Sequence, residues 1–570
     1  MPDTSVSAAA RGASGTQLDR MYEHERTRGA EVWLTQPTQG GLTRLTYADA
    51  MKEVRAMAAY LRGLELPAGS HIVIFAKNNA WWFLADLAIW MAGHVSIPLY
   101  PVLTPETIRQ IVTHSGAKLA FVGKLDGLDV MAPGLPDDVA IIRLPLAPTI
   151  SPSPQFESAK RWADIVATTE PLREHPTRRP DELATIIYTS GTTGVPKGVM
   201  HSFASLCSAQ GYIDELKIDR HERMLSYLPL AHSLERTLVE MTSMLVGFEV
   251  YFAESLDRFV DDLRRARPTL FVSVPRLWHK FQAGVFAKMP PKKLARLLRI
   301  PILRGIVRKK ILEGLGLGAA RFAGSGSAPI PADLIAWYRG LGLELLEGYG
   351  MTENSSYSHM TRPGDVRVGY VGQPQPGVTQ KLSADGEILV KSPGNMLGYY
   401  NAPELTAEVL DAQGFVHTGD LGSIDDRGRL KITGRVKELF KTSKGKYVAP
   451  APIENELLLH EAIELVCVTG GDRPQPFALA ILAEHVRVAS MAGGRAPTEA
   501  ALLEHLDRVN AALDQHERLD RIVVLADTWT IENGMLTPSL KIKRAAVEAR
   551  YAAHVEAWHQ IRGRVVWFDP

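Results

Sequence analysis

The chain has 570 residues, of which 45% are hydrophobic and 22% are charged, and its formal net charge is +1. This length exceeds what one hydrophobic core holds, so the sequence predicts a soluble globular protein of at least two domains. A nearly neutral chain has no global attraction to nucleic acid, which argues against a nucleic-acid partner. The two cysteines, Cys207 and Cys467, lie far apart, which argues against a disulfide framework or a zinc site and is typical of a reducing cytoplasm.

Residues 1–17 are small and polar and contain no apolar segment of the kind that a signal peptide requires. We therefore predict a disordered N-terminal tail over residues 1–17. No later stretch is long and apolar enough to predict a membrane span. The nearest candidate, residues 81–91, contains Asp86 and is better explained as a core helix.

Helix and strand signals alternate through the next hundred residues. Thr46 is a suitable N-cap for a following helix, and residues 73–75 are typical of a buried strand. A helix over residues 80–91 and a helix beginning at Pro105 precede a strand at residues 119–122. This alternation predicts a mostly parallel sheet covered by helices on both faces, with ligands at the carboxyl ends of its strands.

A glycine-rich loop follows the next predicted strand, which spans residues 183–187. Residues 188–198 read YTSGTTGVPKG and bring hydroxyl side chains, glycines and Lys197 into one segment. Glycines let backbone N–H groups approach an anion, and hydroxyls with a lysine complete a phosphate cradle. The loop is not of the Walker A type, because Lys197 lies between Pro196 and Gly198. It predicts a nucleotide enzyme outside the P-loop class.

A basic segment spans residues 292–310 and interleaves cationic with aliphatic side chains. Its basic residues are Lys292, Lys293, Arg296, Arg299, Arg304, Arg308, Lys309 and Lys310. A membrane-surface patch and a solvated helix pair broken at Pro301 both explain this pattern. The solvated pair is the explanation that the sequence favours.

The composition changes after residue 386. Residues 387–390 and 430–432 have the character of short strands, and residues 425–428 form a turn signal between them, so this part is predicted to be β-rich. Residues 435–452 are charged and punctuated by glycine, which predicts a joint between domains. Residues 453–570 return to α/β alternation and are long enough for a small core of their own.

Seven segments resemble, in order, the motifs of the acyl-adenylate-forming (AMP-binding) superfamily, and in particular its long-chain fatty acyl-CoA synthetase branch. They are YTSGTTGVPKG at 188–198, LPLAHSLER at 228–236, GSAP at 326–329, GYGMTE at 348–353, TGDLG at 418–422, GRVK at 434–437 and TPSLKIKR at 537–544. The resemblance implies an α/β fold whose large N-terminal domain, of mostly parallel sheets flanked by helices, spans residues 18–434. It also implies a β-rich subdomain at about 355–434, a hinge and linker at 435–452, and a small mobile α+β domain at 453–570.

Adenylation joins two anions, a carboxylate and the α-phosphate of ATP, so it requires groups that neutralise charge and align the reactants. By resemblance, the first loop binds phosphate, later motifs bind adenine and ribose, and Mg²⁺ takes Glu353 and Thr189 as ligands. The implied nucleotide-binding residues are Thr189, Ser190, Gly191, Thr192, Thr193, Gly194, Lys197, Gly326, Ser327, Ala328, Pro329, Tyr349, Gly350, Asp420 and Arg435. The implied catalytic residues are Lys541, Thr352, Glu353 and His232, and the implied hinge residue is Lys437. The resemblance also implies that Thr352 contacts the α-phosphate and that His232 lies near the acyl carboxylate.

Several of these residues have a structural alternative when taken singly. Thr352 with Glu353 fits a helix start, Asp420 fits a turn, and His232 fits a structural histidine. The small residues 324–326 either leave room for a long acyl chain or allow close backbone packing. Only the joint occurrence of the motifs favours the functional interpretation.

The C-terminal lysine motif departs from the commonest form in the family. That form has glycine before the lysine, and this chain has Leu540 there. Lys543 lies two residues beyond Lys541 and in a strand would share its face, so it is an alternative catalytic lysine. We assign the catalytic role to Lys541.

The resemblance implies a ligase that uses ATP, Mg²⁺ and coenzyme A to convert a long- or medium-chain fatty acid first to acyl-AMP and then to acyl-CoA. The alternatives are a fatty acyl-AMP ligase that delivers to a carrier protein, an aryl or short-chain acid–CoA ligase, and a non-catalytic AMP-binding scaffold. The spacing from Glu353 to Thr418 shows no insertion of the kind that fatty acyl-AMP ligases carry, and residues 228–236 favour an aliphatic acid. A cytoplasmic location, peripheral contact with the inner face of the membrane through residues 292–310, and a homodimer are further expectations.

Overall fold

The computed structural model describes residues 15–39, 41–149, 154–190, 196–538 and 540–569. Its strands are β1 (Val32–Thr38), β2 (Gly41–Thr46), β3 (His71–Phe75), β4 (Val95–Leu99), β5 (Leu119–Val122), β6 (Ala140–Arg143), β7 (Lys160–Arg161), β8 (Leu183–Ser190), β9 (Pro196–Ser202), β10 (Arg223–Ser226), β11 (Glu249–Phe252), β12 (Leu270–Ser273), β13 (Phe322–Ser325), β14 (Leu345–Tyr349), β15 (His359–Met360), β16 (Gln373–Pro374), β17 (Thr379–Leu382), β18 (Glu387–Lys391), β19 (Gly398–Tyr399), β20 (Val416–Ile424), β21 (Leu430–Arg435), β22 (Phe440–Lys441), β23 (Tyr447–Val448), β24 (Ile463–Thr469), β25 (Phe477–Leu482), β26 (Ile522–Leu525) and β27 (Val565–Phe568).

The α-helices in the same residues are α1 (Gln17–Arg28), α2 (Tyr47–Gly63), α3 (Ala80–Met91), α4 (Pro105–Ser115), α5 (Leu128–Met131), α6 (Pro154–Glu157), α7 (Trp162–Thr168), α8 (Phe203–Leu206), α9 (Gln210–Leu216), α10 (Ser233–Glu235), α11 (Thr242–Val246), α12 (Phe259–Ala266), α13 (Pro275–Lys288), α14 (Pro291–Arg299), α15 (Pro301–Gly314), α16 (Ala332–Leu341), α17 (Pro403–Val409), α18 (Pro450–Leu457), α19 (Glu484–Ala489), α20 (Arg495–Ala511), α21 (Arg544–Tyr551) and α22 (Val555–Gln560). A π-helical turn, Arg236–Met241, joins α10 to α11.

An eight-stranded sheet of order β19-β9-β8-β4-β3-β5-β6-β7 forms the centre of the large domain. The six strands from β8 to β7 pair in parallel, whereas β9 and β19 add antiparallel pairs at one edge. The predicted α/β class with a mostly parallel sheet is therefore confirmed. Its connections are helices, as parallel strands require.

The helices of this sheet begin and end where the sequence predicts. The Thr46 hydroxyl accepts the N–H of Asp49 and caps α2, and the Thr104 hydroxyl caps α4, whose first residue is Pro105. Gly116 ends α4 in the left-handed conformation, at φ +66°, which glycine adopts at little cost. All of α3 is buried, because it packs between the central sheet and a second sheet.

The second sheet has the order β10-β11-β1-β2, and a third has the order β12-β13-β14-β15-β16. In the third sheet β12, β13 and β14 are parallel, so their carboxyl ends lie at one edge. The predicted β-rich part contains an antiparallel sheet of order β17-β18-β20-β21. Its strands β20 and β21 carry the TGDLG and GRVK segments to the same side of the molecule.

The small domain has a four-stranded sheet, β24-β25-β26-β27, with α18, α20 and α21 packed on it. The linker predicted at residues 435–452 is shorter in the structure, because β22 and β23 form a hairpin within its range. Val448 on β23 is fully buried in the same core as Ile453 and Leu457. Residues from 440 onward therefore pack with the small domain.

The tail predicted over residues 1–17 is also too long at its C-terminal end. Thr16 and Gln17 are buried, and Thr16 forms a capping box with Asp19 at the start of α1. Residues 1–14 lie outside the described part of the chain. Within the described part, no helix combines the length and the hydrophobicity needed to cross a bilayer.

Candidate active site

Two neighbouring parallel strands bring the predicted adenosine-binding segments to one edge of the third sheet. β13 ends at Ser325 and β14 ends at Tyr349, and Ser325 is paired in register with Glu347. The backbone N–H of Gly326 donates to the Ser273 carbonyl (3.2 Å), which continues the β12–β13 pairing by one residue. The exposed residues that follow are Ser327, Ala328 and Pro329.

The glycines of these segments serve different purposes. A Cβ on Gly350 would lie 2.7 Å from the Ser356 backbone, so no larger residue fits. A Cβ on Gly324 would approach Val272 to 3.2 Å, which indicates close packing. A Cβ on Gly326 would lie 3.6 Å from the Gly348 carbonyl oxygen and 3.7 Å from the Leu234 side chain, which is ordinary van der Waals contact. Of the two explanations for residues 324–326, close packing fits Gly324, and Gly326 could accommodate a methyl group.

Asp420 lies at the centre of a hydrogen-bonded group between two sheets. The Tyr349 hydroxyl donates to its Oδ2 (2.6 Å) and the Arg435 Nε donates to its Oδ1 (2.6 Å). Burial, reinforced by the charge of Asp420, raises the pKa of Tyr349 well above its usual value, so the phenol stays a donor. Each carboxylate oxygen can accept a further hydrogen bond, which suits a ligand with two hydroxyls.

Glu353 and Lys197 meet across the β9–β19 edge of the central sheet. The Tyr399 hydroxyl donates to Glu353 Oε1 (2.7 Å), and Lys197 Nζ lies 5.7 Å from the centre of the Tyr399 ring. Sequence reasoning missed Tyr399, because only the pairing of β19 with β9 brings it to the site. The arrangement leaves the second carboxylate oxygen of Glu353 available to a cation.

The phosphate loop is described only at its two ends. Thr189 on β8 pairs in register with Lys197 on β9, and Ser190 ends β8. The predicted phosphate ligands Gly191, Thr192, Thr193 and Gly194 lie outside the described residues. The hairpin places Thr189 and Lys197 side by side at the carboxyl end of β8, where the sequence predicts a ligand.

Lys541 of the small domain is exposed and lies within electrostatic reach of charged residues of the large domain. Its side chain keeps contact with solvent, yet protein surrounds it, and this burial lowers the pKa of its ammonium. The charge of Arg435 lowers the pKa further, whereas Asp420 and Glu353 raise it. Lys541 is therefore within electrostatic reach of both predicted carboxylates.

His232 of the large domain is close enough to Lys541 for the lysine charge to affect the pKa of its ring. Burial, with the nearby charge of Lys541, lowers the pKa of His232 to about 4, so its ring is neutral at physiological pH. The ring Nδ1 accepts the N–H of Leu234 (3.1 Å) and caps α10, which leaves Nε2 as the protonated nitrogen. A neutral donor and a lysine ammonium thus lie within electrostatic reach of each other.

The turn that carries Lys541 has an unusual backbone. The N–H of Lys541 donates to Thr537 Oγ1 (3.0 Å), and the N–H of Leu540 donates to the Thr537 carbonyl (2.8 Å). Leu540 has φ +60°, the left-handed region that glycine adopts at no cost.

Lys543, the alternative lysine, has a structural position at the start of a helix. Its backbone N–H donates to the Met535 carbonyl (2.8 Å), and it is the N-cap residue of α21.

A buried carboxyl supports the helix behind His232. Glu235 Oε1 accepts hydrogen bonds from Ser226 Oγ (2.8 Å), the Tyr227 N–H (2.9 Å) and Asn78 Nδ2 (3.2 Å). Burial raises the pKa of Glu235 to about 8. Glu235 therefore ties the start of α10 to the ends of β10 and β3.

The predicted hinge residue Lys437 is exposed and lies in a 3-10 turn, Val436–Glu438. This turn connects β21 of the large domain to the β22–β23 hairpin of the small domain. An ion pair between Arg276 on α13 and Glu464 on β24 also joins the two domains.

No group of three or more His, Cys, Asp or Glu side chains among the described residues could hold a metal ion by itself. Mg²⁺ commonly binds through one or two carboxylates together with substrate phosphates. Glu353 fits that role, because it is a carboxylate near the phosphate-loop lysine and, among the residues that the structure describes, only its Oε1 accepts a hydrogen bond.

The sequence matches a model of the AMP-binding enzyme family over residues 23–400 and a model of the AMP-binding enzyme C-terminal domain over residues 438–561. The chain belongs to the AMP-binding enzyme family. This AMP-binding enzyme has the long-chain-fatty-acid–CoA ligase FadD15 of Mycobacterium bovis as a relative, 31% identical over 94% of this chain and 96% of that protein. Human long-chain-fatty-acid–CoA ligase 1 is 30% identical over 89% of this chain and 80% of that protein.

Solved structures share the fold of this AMP-binding enzyme. The adenylation domain of a carboxylate reductase from Mycobacterium chelonae superposes with a TM-score of 0.80 at 22% identity, covering 98% of this chain and 94% of that one. The O-succinylbenzoate coenzyme A synthetase of Bacillus subtilis, in complex with AMP, gives a TM-score of 0.71 at 21% identity, covering 92% and 97%. At these identities the likeness shows the fold alone.

Proposed function

We propose that the chain is an AMP-forming ligase that joins a long-chain fatty acid to coenzyme A. The observation that carries the proposal is that Lys541 of the small domain lies within electrostatic reach of His232, Glu353 and Asp420 of the large domain. Such a group combines a cation for two reacting anions, a ligand for Mg²⁺ and a ribose acceptor. The relatives named for long-chain acids supply the substrate class.

In the first step a carboxylate oxygen of the fatty acid attacks the α-phosphorus of Mg-ATP. The bond from the α-phosphorus to the bridging oxygen breaks, and pyrophosphate leaves with the electron pair. The Lys541 ammonium lowers the repulsion between the two anions, and Lys197 neutralises the leaving group. Glu353 and Thr189 would hold the Mg²⁺ that accompanies ATP, and the cation would neutralise phosphate charge.

In the second step the sulfur of coenzyme A attacks the acyl carbon of acyl-AMP. The carbon–oxygen bond to phosphate breaks, AMP leaves, and the thiol proton is released to solvent. Lys541 lies within electrostatic reach of Glu353 and Asp420 in the conformation described here, so rotation of the small domain about Lys437 would take it away and admit the thiol. We assign the hinge role to Lys437 on its exposed position in the connecting turn.

The proposal is tested by measuring pyrophosphate release over a panel of carboxylic acids, with and without coenzyme A. We expect turnover with acids of twelve or more carbons, and a thioester product only when coenzyme A is present. Release without any thioester would indicate a fatty acyl-AMP ligase, preference for aromatic or short acids would indicate the corresponding ligase, and no release with any acid would indicate a non-catalytic scaffold.

We further propose that α14 and α15 rest on an anionic membrane surface. Ile302 is 82% exposed and Ile306 is 62% exposed, and the two are four residues apart on one face of α15. The helix pair carries eight basic residues and one acidic residue, Glu313. Aliphatic side chains flanked by cations are typical of a surface that inserts at the lipid headgroups, where fatty acid partitions.

Sedimentation with lipid vesicles tests this contact. We expect binding to vesicles of phosphatidylglycerol and phosphatidylcholine, and little binding to phosphatidylcholine alone. The double variant Ile302→Ser/Ile306→Ser should lose binding, whereas Leu256→Ser, at a leucine that is 87% exposed outside the patch, should not. Equal binding by both variants would rule out α15 as the contact.

A further inference from the structure

Two consecutive residues in the left-handed conformation follow the turn that carries Thr352 and Glu353. Ser355 has φ +53° and Ser356 has φ +54°. L-residues adopt this conformation only where neighbouring groups hold them, and such residues concentrate at functional sites. The contacts that hold this turn therefore bear on how Thr352 and Glu353 are aligned.

His201 on β9 bridges the two ends of the turn. Its Nε2 lies 2.7 Å from the Thr352 carbonyl oxygen, and its Nδ1 lies 3.0 Å from Ser355 Oγ. Because a carbonyl only accepts, Nε2 carries the proton and Nδ1 accepts from the Ser355 hydroxyl. Ser205 Oγ lies near the same Nδ1, but its proton goes to the Ser202 carbonyl (2.9 Å).

The ring is suited to a fixed role. It is fully buried, and burial lowers the pKa of His201 to about 4, so it stays neutral and keeps one tautomer at physiological pH. A ring that holds one donor and one acceptor in a rigid plane fixes the distance between Thr352 and Ser355. No motif quoted for the family pointed to this residue.

The helix behind His232 holds the same turn from the opposite side. Thr237 Oγ1 donates to the Ser355 carbonyl (2.8 Å), and Ser233 Oγ lies 2.7 Å from Ser356 Oγ. These contacts connect the segment proposed to bind the acyl carboxylate with the turn proposed to bind the α-phosphate. These hydrogen bonds couple the geometry of the site proposed for the acyl carboxylate to that of the site proposed for the α-phosphate.

We propose that His201 is a positioning residue for adenylate formation, acting through Thr352 and Ser355 and touching no substrate itself. The inference rests on the proposed function, because it assigns Thr352 to the α-phosphate. Without the two His201 hydrogen bonds the turn relaxes. Thr352 and Glu353 then no longer hold the positions that the attack of the fatty acid carboxylate requires. Small misplacements of this kind lower the rate of the chemical step more than the binding of either substrate.

The test compares three substitutions at one position. His201→Gln keeps a donor near the Thr352 carbonyl, His201→Asn keeps an acceptor near Ser355, and His201→Leu keeps neither. In acid-dependent pyrophosphate release we expect kcat to fall roughly ten- to a hundredfold for His201→Leu, with the KM for fatty acid little changed. We expect His201→Gln to retain most of the rate and to keep the wild-type pH profile.

His24→Leu is the matched control for the loss of a buried histidine. His24 is also buried, burial lowers its pKa to about 4, and its Nε2 donates to the Met244 carbonyl (2.9 Å), a contact outside the turn that His201 holds. Both leucine variants should lose thermal stability, but only His201→Leu should lose kcat.

Three outcomes decide the inference. An unchanged kcat in His201→Leu, or an equal loss in the two leucine variants, would overturn it. If His201→Leu fails to fold, Ser355→Ala removes the same hydrogen bond with less disturbance, and its kcat must then fall. Failure of wild-type pyrophosphate release would instead reject the proposed function, which keeps the two results distinguishable.

Discussion

Arg236 lies beneath the active site with no exposed surface, between the rings of Trp82 and Trp90. It forms an ion pair with Asp86, and its Nε lies 3.5 Å from Glu240 Oε2. Burial, with the charge of Asp86, raises the pKa of Glu240 well above its usual value. Burial raises the pKa of Asp86 as well, and the charge of Arg236 opposes that rise. Because Asp86 forms the direct ion pair, we expect Asp86 to balance the guanidinium and Glu240 to stay protonated.

This difference in charge between Asp86 and Glu240 predicts different losses in the free energy of unfolding for two isosteric substitutions. Asp86→Asn leaves the Arg236 charge buried without a counter-ion and should lower the free energy of unfolding by about 3–5 kcal/mol. Glu240→Gln replaces a neutral acid by a neutral amide and should change it by no more than about 1 kcal/mol. Thermal or urea unfolding measures both, and equal losses would show that Glu240 is ionised.

The lowered pKa of Lys541 predicts a pH limit on the first step. The ammonium must be charged to bridge two anions, and its pKa lies below that of an ordinary lysine. As pH rises, the adenylation rate should therefore begin to fall at a lower pH than it would with an unperturbed lysine. Lys541→Arg, which keeps its charge, should move that decline to higher pH in whatever activity it retains. An unchanged alkaline limb would mean that another group titrates.

Residues such as Lys197, Asp420 and Lys541 could be assigned from the sequence, because each lies in a motif whose order along the chain is informative. His201 and Tyr399 could not. Their partners, Thr352 and Glu353, are distant in sequence, and only the folded chain brings them together.

At the scale of elements, local signals predicted helix and strand positions well. The capping threonines of α2 and α4 and the strand Leu119–Val122 lie where the sequence places them. The β22–β23 hairpin was missed, because its short strands resemble a charged linker and Val448 alone reveals a core. Burial decided the domain boundary, and burial depends on distant parts of the chain.

The Lys541 turn gives a prediction at this scale. Leu540 is 54% exposed and left-handed, so its side chain gains little from burial while its backbone is strained. Leu540→Gly should preserve or raise the melting temperature of the small domain. The corresponding gain in the free energy of unfolding should be at most about 1 kcal/mol. Leu540→Val should lower it, since a β-branched residue is least tolerated there. A stabilised valine variant would contradict the left-handed conformation.

At the scale of the whole molecule, the proposed mechanism requires the two domains to change their relative position between adenylation and thioester formation. The Arg276–Glu464 ion pair and the placement of Lys541 both belong to the conformation described here. The connecting turn at Lys437 is 3-10 helical, and the φ range typical of 3-10 helices includes the value that proline imposes. Proline there should hold this conformation.

Lys437→Pro should therefore impair thioester formation much more than pyrophosphate release. Lys437→Ala removes the same side chain but leaves the backbone free, so it should affect neither step strongly. Both steps are followed separately, by pyrophosphate release and by coenzyme A addition to supplied acyl-AMP. Equal loss of the two steps in the proline variant would place the hinge elsewhere.

The most direct test of the account is to measure both half-reactions in Lys541→Ala, with Lys543→Ala as the matched control. If Lys541 bridges the carboxylate and the α-phosphate and then leaves the site, its loss should cripple adenylation and leave thioester formation from supplied acyl-AMP largely intact. Lys543→Ala should then keep both activities. Surviving adenylation in Lys541→Ala, or the loss of thioester formation together with it, would contradict the account.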